Sequence, residues 1–219
     1  MLSRVLEPEL MDSEEEAIEY DLMDHTEVNR RFVADFLAAH RVGWKVLDLG
    51  TGTAQIPIEL CRREPRAIVL AVDAAEHMLR RAAENVAGAG LVGRIHLKLV
   101  DAKGLDFGDG SFPAVISNSI VHHIPEPRRV MVEMVRVLAP GGTLFVRDLL
   151  RPPDDAAVNH LVRTYAGDAT EKQRSLFDAS LRAALALDEV HDLLRGLSLP
   201  PEAATQTSDR HWTLSFQRV

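Results

Sequence analysis

The sequence predicts an α/β fold: a doubly wound, Rossmann-like, mostly parallel sheet of seven strands, extended at one edge by a C-terminal antiparallel hairpin and preceded by a helical N-terminal cap. Three observations carry that reading. Five short runs rich in β-branched residues alternate with helical patterns. A glycine-bearing turn, "DLGTGTA" (48–54), follows the first run. Two further strand-like runs end the sequence, separated by a short polar turn.

Residues 12–20 (DSEEEAIEY) and 25–40 (HTEVNRRFVADFLAAH) read as helices. In the second, Val28, Phe32, Val33, Phe36 and Leu37 recur at helical spacing, and Thr26 is placed to be the N-cap. The core strands are 45–49, 68–73, 95–100, 114–118 and 143–149, with helices at 54–63, 75–89 and 127–138 between them. Alternation of this kind implies parallel strands joined by right-handed crossovers. Beyond the fifth strand, residues 154–166, 169–185 and 187–195 read as helices, and 203–208 and 212–219 as a hairpin around a "DRH" turn. The expected organisation is one domain over 1–219: a cap (1–42), a cofactor-binding core (43–150), a helical insertion (151–198) and the terminal hairpin (199–219).

Composition narrows the function. The chain has 219 residues, enough for one sizeable core. The net charge of −8 and the scattered arginines disfavour a nucleic-acid partner, which needs a basic stripe. Residues 1–20 are acidic and lack the apolar run of a secretory signal, and no apolar stretch approaches the roughly 20 residues that span a bilayer. A cytoplasmic protein, monomeric or homodimeric and not inserted in a membrane, is expected. The single cysteine, Cys61, excludes an internal disulfide and reads as buried filler.

Ligands of such sheets bind at the carboxyl ends of the strands, near the switch point. The first exit is Asp48-Leu49-Gly50-Thr51-Gly52-Thr53. Glycines allow a tight turn and close approach of a ligand. The third glycine of a dinucleotide fingerprint is replaced by Gln55, and the Asp48 carboxylate would repel phosphate. A cationic ligand fits better. Asp73, at the second exit, stands where an acid accepts from ribose hydroxyls, with a helix-capping role as the plainer reading. Met78 follows one turn later and could lie on an adenine face, and Asp101, at the third exit, could accept from an adenine amino group. At the fourth exit stand Asn118, Ser119 and an adjacent pair, His122 and His123. The pair alone offers no metal-ligand set, because no further ligand at suitable spacing is visible, so no metal is expected.

An acid before GxG, a ribose acid, a third acid and "VLAPGG" (137–142) before the fifth strand together resemble the class I S-adenosylmethionine-dependent methyltransferases. The resemblance runs from about Lys45 to Leu149, and the terminal hairpin fits it. Its cofactor is a sulfonium with an ammonium group and no phosphate, which suits Asp48. The resemblance implies that Asp48, Gly50 and Gly52 line the methionine portion of S-adenosylmethionine, that Thr51 and Gln55 also bind the cofactor, that Asp73 holds the ribose, and that Ala74 and Met78 flank adenine. It further implies that Asp101 and Ala102 meet the adenine edge, and that Asn118 and Ser119 approach the methionine end. "YDLMDH" (20–25) resembles the cap of small-molecule members such as the ubiquinone and menaquinone methyltransferases, where it covers the cofactor. Tyr20 is therefore a cofactor-binding candidate.

Methyl transfer needs alignment first, and a base only where the acceptor must lose a proton. His122, His123 and Asp148 are the catalytic candidates, with loop capping as the plainer role of the histidines. Asp24, His25, Asn29, His122, Arg210 and His211 are candidate substrate contacts. The expected function is methyl transfer to a small molecule. The alternatives are a methyltransferase for RNA or protein, and a non-catalytic S-adenosylmethionine sensor; a dehydrogenase is disfavoured by the missing glycine.

Overall fold

The computed structural model describes residues 2–8 and 12–219; residues 1 and 9–11 of the expected cap lie outside the described residues. The strands are β1 (Lys45–Leu49), β2 (Ile68–Asp73), β3 (Ile95–Leu99), β4 (Phe112–Asn118), β5 (Leu138–Leu149), β6 (Ala204–Gln206) and β7 (His211–Gln217). They form one sheet in the order β3-β2-β1-β4-β5-β7-β6. β1 pairs in parallel with both β2 and β4, β2 pairs in parallel with β3, and β6 and β7 are antiparallel. The chain leaves β1 toward β2 and β3, then returns to β4 on the other side. That reversal places a switch point at the carboxyl end of β1.

The helices are α1 (Glu14–Leu22), α2 (Thr26–Ala39), α3 (Gln55–Arg63), α4 (Glu76–Gly88), α5 (Pro127–Val137), α6 (Asp155–Ala166), α7 (Glu171–Ala183) and α8 (Leu187–Arg195). Among the described residues, no helix is long and apolar enough to cross a membrane. Contacts gather the chain into two compact units. One comprises the described part of the N-terminal segment with Ser119–Arg128 and Arg147–Leu214; the other comprises the described part of Leu10–Asn118 with Arg129–Val146 and Ser215–Val219.

The larger unit is built on β1, β2 and β4, whose central residues are almost fully buried, as continuous apolar strands of a parallel sheet must be. Phe32, Val33 and Phe36 of α2, Ile58, Leu60 and Cys61 of α3, and Ala82 and Val86 of α4 complete its core with Val46, Val69, Ile116 and Phe145. Arg94 donates to the carbonyls of Cys61 and Glu64 at the end of α3, where helix acceptors lack intrahelical partners, and to the Ala67 carbonyl just before β2. The smaller unit packs Leu149 with Val158 and Leu161 of α6 and Leu181 and Ala184, with Leu2 and Phe177 against them.

Several boundaries differ from the sequence expectation. Thr26 is the first residue of α2, not its N-cap; His25 holds the cap position without a side-chain cap bond, and Asp24 Oδ1 accepts from the Thr26 N–H instead. β5 begins at Leu138, five residues before the expected start, and absorbs the "APGG" stretch. The reason is pairing with the chain's end: Gly141 N donates to the Arg218 carbonyl at 2.7 Å, and Arg218 N to the Gly142 carbonyl at 2.9 Å. His211 belongs to β7 and not to the turn before it.

At Gly142 an added Cβ would lie 2.8 Å from the Ala139 carbonyl oxygen, 2.9 Å from Leu138 Cδ1 and 3.0 Å from the Pro113 carbonyl oxygen. Two of those neighbours are backbone and cannot give way. Gly142→Ala is therefore expected to cost about 1–3 kcal/mol of stability, read as a lower urea midpoint at unchanged slope. An unchanged midpoint would contradict the closeness of these strands.

Candidate active site

In the larger unit, candidate residues gather at the turn leaving β1. Gly50 and Gly52 adopt positive φ (72° and 53°), and Ala54, just before α3, does so at 64°. The N–H groups of Gly50 and Thr51 donate to the Val72 carbonyl at 2.9 and 3.0 Å, so the turn is fastened to the end of β2. Asp48 is buried, and its Oδ2 has no hydrogen-bond partner. Burial pushes its carboxyl up to about 7; the Thr51 hydroxyl offsets this in part and nearby Asp73 adds to it. An orphaned buried carboxylate oxygen beside a glycine turn is what a cationic group would satisfy.

Asp73 closes the second exit. Its Oδ2 accepts from Gly52 N at 2.8 Å and its Oδ1 from Ala75 N at 2.9 Å. Each oxygen keeps a lone pair for a further donor, so the capping and ligand-binding readings of Asp73 are compatible. Burial raises its carboxyl, with the backbone N–H bonds pulling the other way. Asp101 is exposed, accepts from Lys103 N at 2.9 Å and pairs with Lys103 Nζ at 3.1 Å; Ala102 beside it is half-buried. Asn118 Oδ1 is buried without a partner at the end of β4. Ser119, the next residue, has φ 59° and donates from its N–H to the Arg147 carbonyl at 2.9 Å.

The cap reaches this turn through α1. Tyr20 packs with Ala17, Ala75 and Met78, and its phenol is pushed up to about 12 by burial and by Asp73, Asp48 and Asp21. Its ring lies 3.5 Å from where a Cβ on Gly52 would stand, so the glycine gives the tyrosine room. Asp21 binds α1 to the core: it accepts from Gln55 Nε2 at 3.0 Å, Asn85 Nδ2 at 2.8 Å and Arg81 Nε at 2.8 Å. The Gln55 side chain is thus engaged with the cap. His25 stacks obliquely on Tyr20 at 5.1 Å with its Nε2 buried and unpartnered, Asn29 lies one turn into α2, and Asp24 is exposed at the helix start.

A separate cluster of candidate residues lies in the smaller unit. A short 3-10 turn, Val121–His123, follows β4 and presents both histidines. Asp148, near the end of β5, is fully buried and accepts from His122 Nδ1 at 2.5 Å, Val121 N at 2.6 Å and Leu149 N at 2.6 Å. Burial alone would raise the Asp148 carboxyl, but His122 and these N–H groups hold it below its ordinary value. Burial opposes a charge on His122, and the Asp148 and Glu7 carboxylates overcome that opposition, so its imidazole is raised. His123 is pushed down to about 4 by burial and by His122.

Sequence reasoning missed Glu7 and Arg4, which no motif marks. Glu7 Oε1 stands 3.5 Å from His122 Nε2 and 3.1 Å from His123 Nδ1. Arg4 donates to the carbonyls of Ala183, His122 and Ile124 at 2.7, 2.9 and 3.0 Å, and so binds the N-terminal segment to the histidine turn. The hairpin candidates lie apart in role. The Arg210 guanidinium sits 3.3 Å over the Tyr165 ring, and His211 Nδ1 is 2.9 Å from Ser208 Oγ with its imidazole pushed down to about 4, chiefly by burial.

Residues 46–142 match a family described as a methyltransferase domain. The chain is 29% identical over 181 residues to the 27-O-demethylrifamycin SV methyltransferase of Amycolatopsis mediterranei, covering 81% of this chain and 63% of that one. It is 30% identical over 111 residues to the ubiquinone/menaquinone biosynthesis C-methyltransferase of Geobacter sulfurreducens, covering 50% of this chain and 43% of that one. The chain therefore spans between two fifths and two thirds of the length of these curated relatives. A SAM-dependent methyltransferase of known structure from Aquifex aeolicus shares the fold, with a TM-score of 0.68 at 17% identity over 94% of this chain and 99% of that one. The chain is thus similar to S-adenosylmethionine-dependent methyltransferases in fold, and to a methyltransferase domain over residues 46–142, the stretch that holds the acid-bearing exits of β1 and β2.

Proposed function

We propose that the protein transfers the methyl group of S-adenosylmethionine to a small-molecule acceptor, and that His122, oriented by Asp148, acts on the acceptor's proton with His123 beside it. The observation that carries the acceptor chemistry is the buried 2.5 Å bond between His122 Nδ1 and Asp148 Oδ1. A carboxylate on Nδ1 fixes the tautomer and leaves the Nε2 lone pair as the reactive end of the ring. The small-molecule chemistry named for the curated relatives supports the substrate class. So does the net charge of −8, which gives no footing for nucleic acid. The reading takes the protein as a cytoplasmic monomer or homodimer.

When bound, the cofactor supplies a methyl group already activated on a sulfonium. The chain's own residues bind and align it. In this reading Asp48 faces the ammonium group across Gly50, Thr51 and Gly52, Asp73 takes the ribose hydroxyls, and Asp101 and Ala102 meet the adenine edge. Ala74 and Met78 lie along the adenine ring, Tyr20 covers the pocket and excludes water, and the Asn118 carbonyl and Ser119 hold the methionine end. Asp24, His25, Asn29, Arg210 and His211 remain proposed acceptor contacts.

Three outcomes test this. Asp73→Ala should weaken S-adenosylmethionine by about tenfold or more, since hydrogen bonds to a charged group are worth about 1.5–3 kcal/mol; calorimetry showing unchanged affinity would refute the ribose role. Cofactor affinity should also depend on pH. The Asp48 carboxyl stands at about 7 without ligand, and an ammonium neighbour favours its charged form. Binding below that pH must first expel a proton, so affinity should fall toward tenfold per pH unit on acidification, within about a factor of two. Asp48→Asn should flatten that slope; a wild-type profile already flat from pH 8 to 5.5 would remove Asp48 from the site. Finally, with an acceptor found by screening phenols, hydroxyls and amines, His122→Ala should lower kcat by about 10²–10⁴ while cofactor affinity holds. Full turnover in that variant would end the acid–base role.

A further inference from the structure

The histidine pair gains a third member from a distant part of the chain. Glu7 Oε1, His122 and His123 each offer one donor atom, and the three atoms all lie within 4.8 Å of one another. Two edges of that triangle are 3.1 and 3.5 Å. Around a tetrahedral ion with bonds of about 2.0–2.1 Å, ligand atoms stand about 3.3 Å apart. The two edges bracket that spacing.

The hydrogen bonding is incomplete in the same place. Glu7 Oε1 and His123 Nδ1 are buried, and neither has a hydrogen-bond partner, so their 3.1 Å approach lacks the geometry of a hydrogen bond. Each ring keeps a nitrogen for a ligand. His122 gives Nδ1 to Asp148, which leaves the Nε2 lone pair toward Glu7. His123 Nδ1 has no hydrogen-bond partner and is left to coordinate. The other carboxylate oxygen of Glu7 accepts from Ser180 Oγ at 3.2 Å. Metal-binding histidines characteristically give their second nitrogen to a carboxylate or a backbone carbonyl, as His122 does to Asp148.

We propose that Glu7, His122 and His123 form a binding site for a divalent first-row transition-metal ion of the zinc type. Two imidazoles and one carboxylate suit zinc, cobalt, nickel or iron(II), whereas magnesium and calcium prefer all-oxygen sets. Three protein ligands leave a position open. Resting on the methyl-transfer reading, that position would take an acceptor hydroxyl, and the ion would lower its pKa. The ion would then do by Lewis acidity what the bare His122 lone pair does by taking a proton. The rival account needs no ion: a proton on His122, held between the Asp148 and Glu7 carboxylates, also balances the buried charge.

The test uses the full chain, stripped with EDTA and titrated with Co²⁺ while visible absorption is followed, then with Zn²⁺ as competitor and Mg²⁺ as control. The expected result is one saturable Co²⁺ site with the intense bands of a low-coordinate centre, displaced by Zn²⁺ and not by Mg²⁺. Glu7→Gln and His123→Gln, each shown folded by circular dichroism, should weaken it by roughly tenfold or more. No saturable Co²⁺ spectrum overturns the site, as does a spectrum unchanged in both variants. Methyl transfer is measured separately. Co²⁺ binding that both variants weaken, without turnover of any acceptor, upholds the site and counts against the methyl-transfer reading. EDTA-resistant turnover in a protein that binds no Co²⁺ overturns the site and leaves His122 as a metal-free base.

Discussion

Asp73 accepts from the backbone N–H of Gly52 and of Ala75, at 2.8 and 2.9 Å, and so ties the turn that leaves β1 to the turn that leaves β2. The shape of both exit turns depends on that carboxylate. It fixes where Gly52 sits, the space at Gly52 admits the Tyr20 ring, and Tyr20 packs there against Ala75 and Met78. A buried carboxylate is costly unless hydrogen-bonded. Here the bonds that make it tolerable are the ones that shape the turn.

The histidine cluster solves the same problem differently. Asp148 is buried among N–H donors and an imidazole, and Glu7 comes from far away in the chain to meet that imidazole from its other side. Removing one member of such a group leaves another buried and uncompensated, so the members depend on one another more than a set of separate pairs would. The cluster contrasts with the exposed ion pairs of the helices, such as Arg80 with Glu76, which stabilise little.

Much of the fold is legible in the sequence because its strands are short, apolar and regularly spaced. β1 and β2 and the helix α8 stand at their expected bounds, since each is delimited by a strong local signal. The beginning of β5 is not legible, because its pairing with Arg218 is a contact with the other end of the chain and Pro140 and Gly141 mimic a turn. The start of α2 misleads for a subtler reason: Thr26 is a competent cap by type, but the Asp24 side chain takes the Thr26 N–H and the helix begins at Thr26 with His25 in the cap position. In the candidate site, the acids are visible because they sit at strand exits. Glu7, Arg4 and Asp21 are not, because their partners are set by packing over long separations rather than by spacing.

The bond from Arg4 to the Ala183 carbonyl joins residues 179 positions apart. A growing polypeptide emerges amino end first, so Arg4 leaves the ribosome long before its partner exists. The glycine turn of β1, the turn of β2 and the acid that joins them, Asp73, can assemble early from nearby segments. The histidine cluster with Glu7 reaches its final form only after α7 has been made. During biosynthesis the exit turns of β1 and β2 thus have time to form before the histidine cluster closes, and that late step carries the loop-closure entropy of nearly the whole chain.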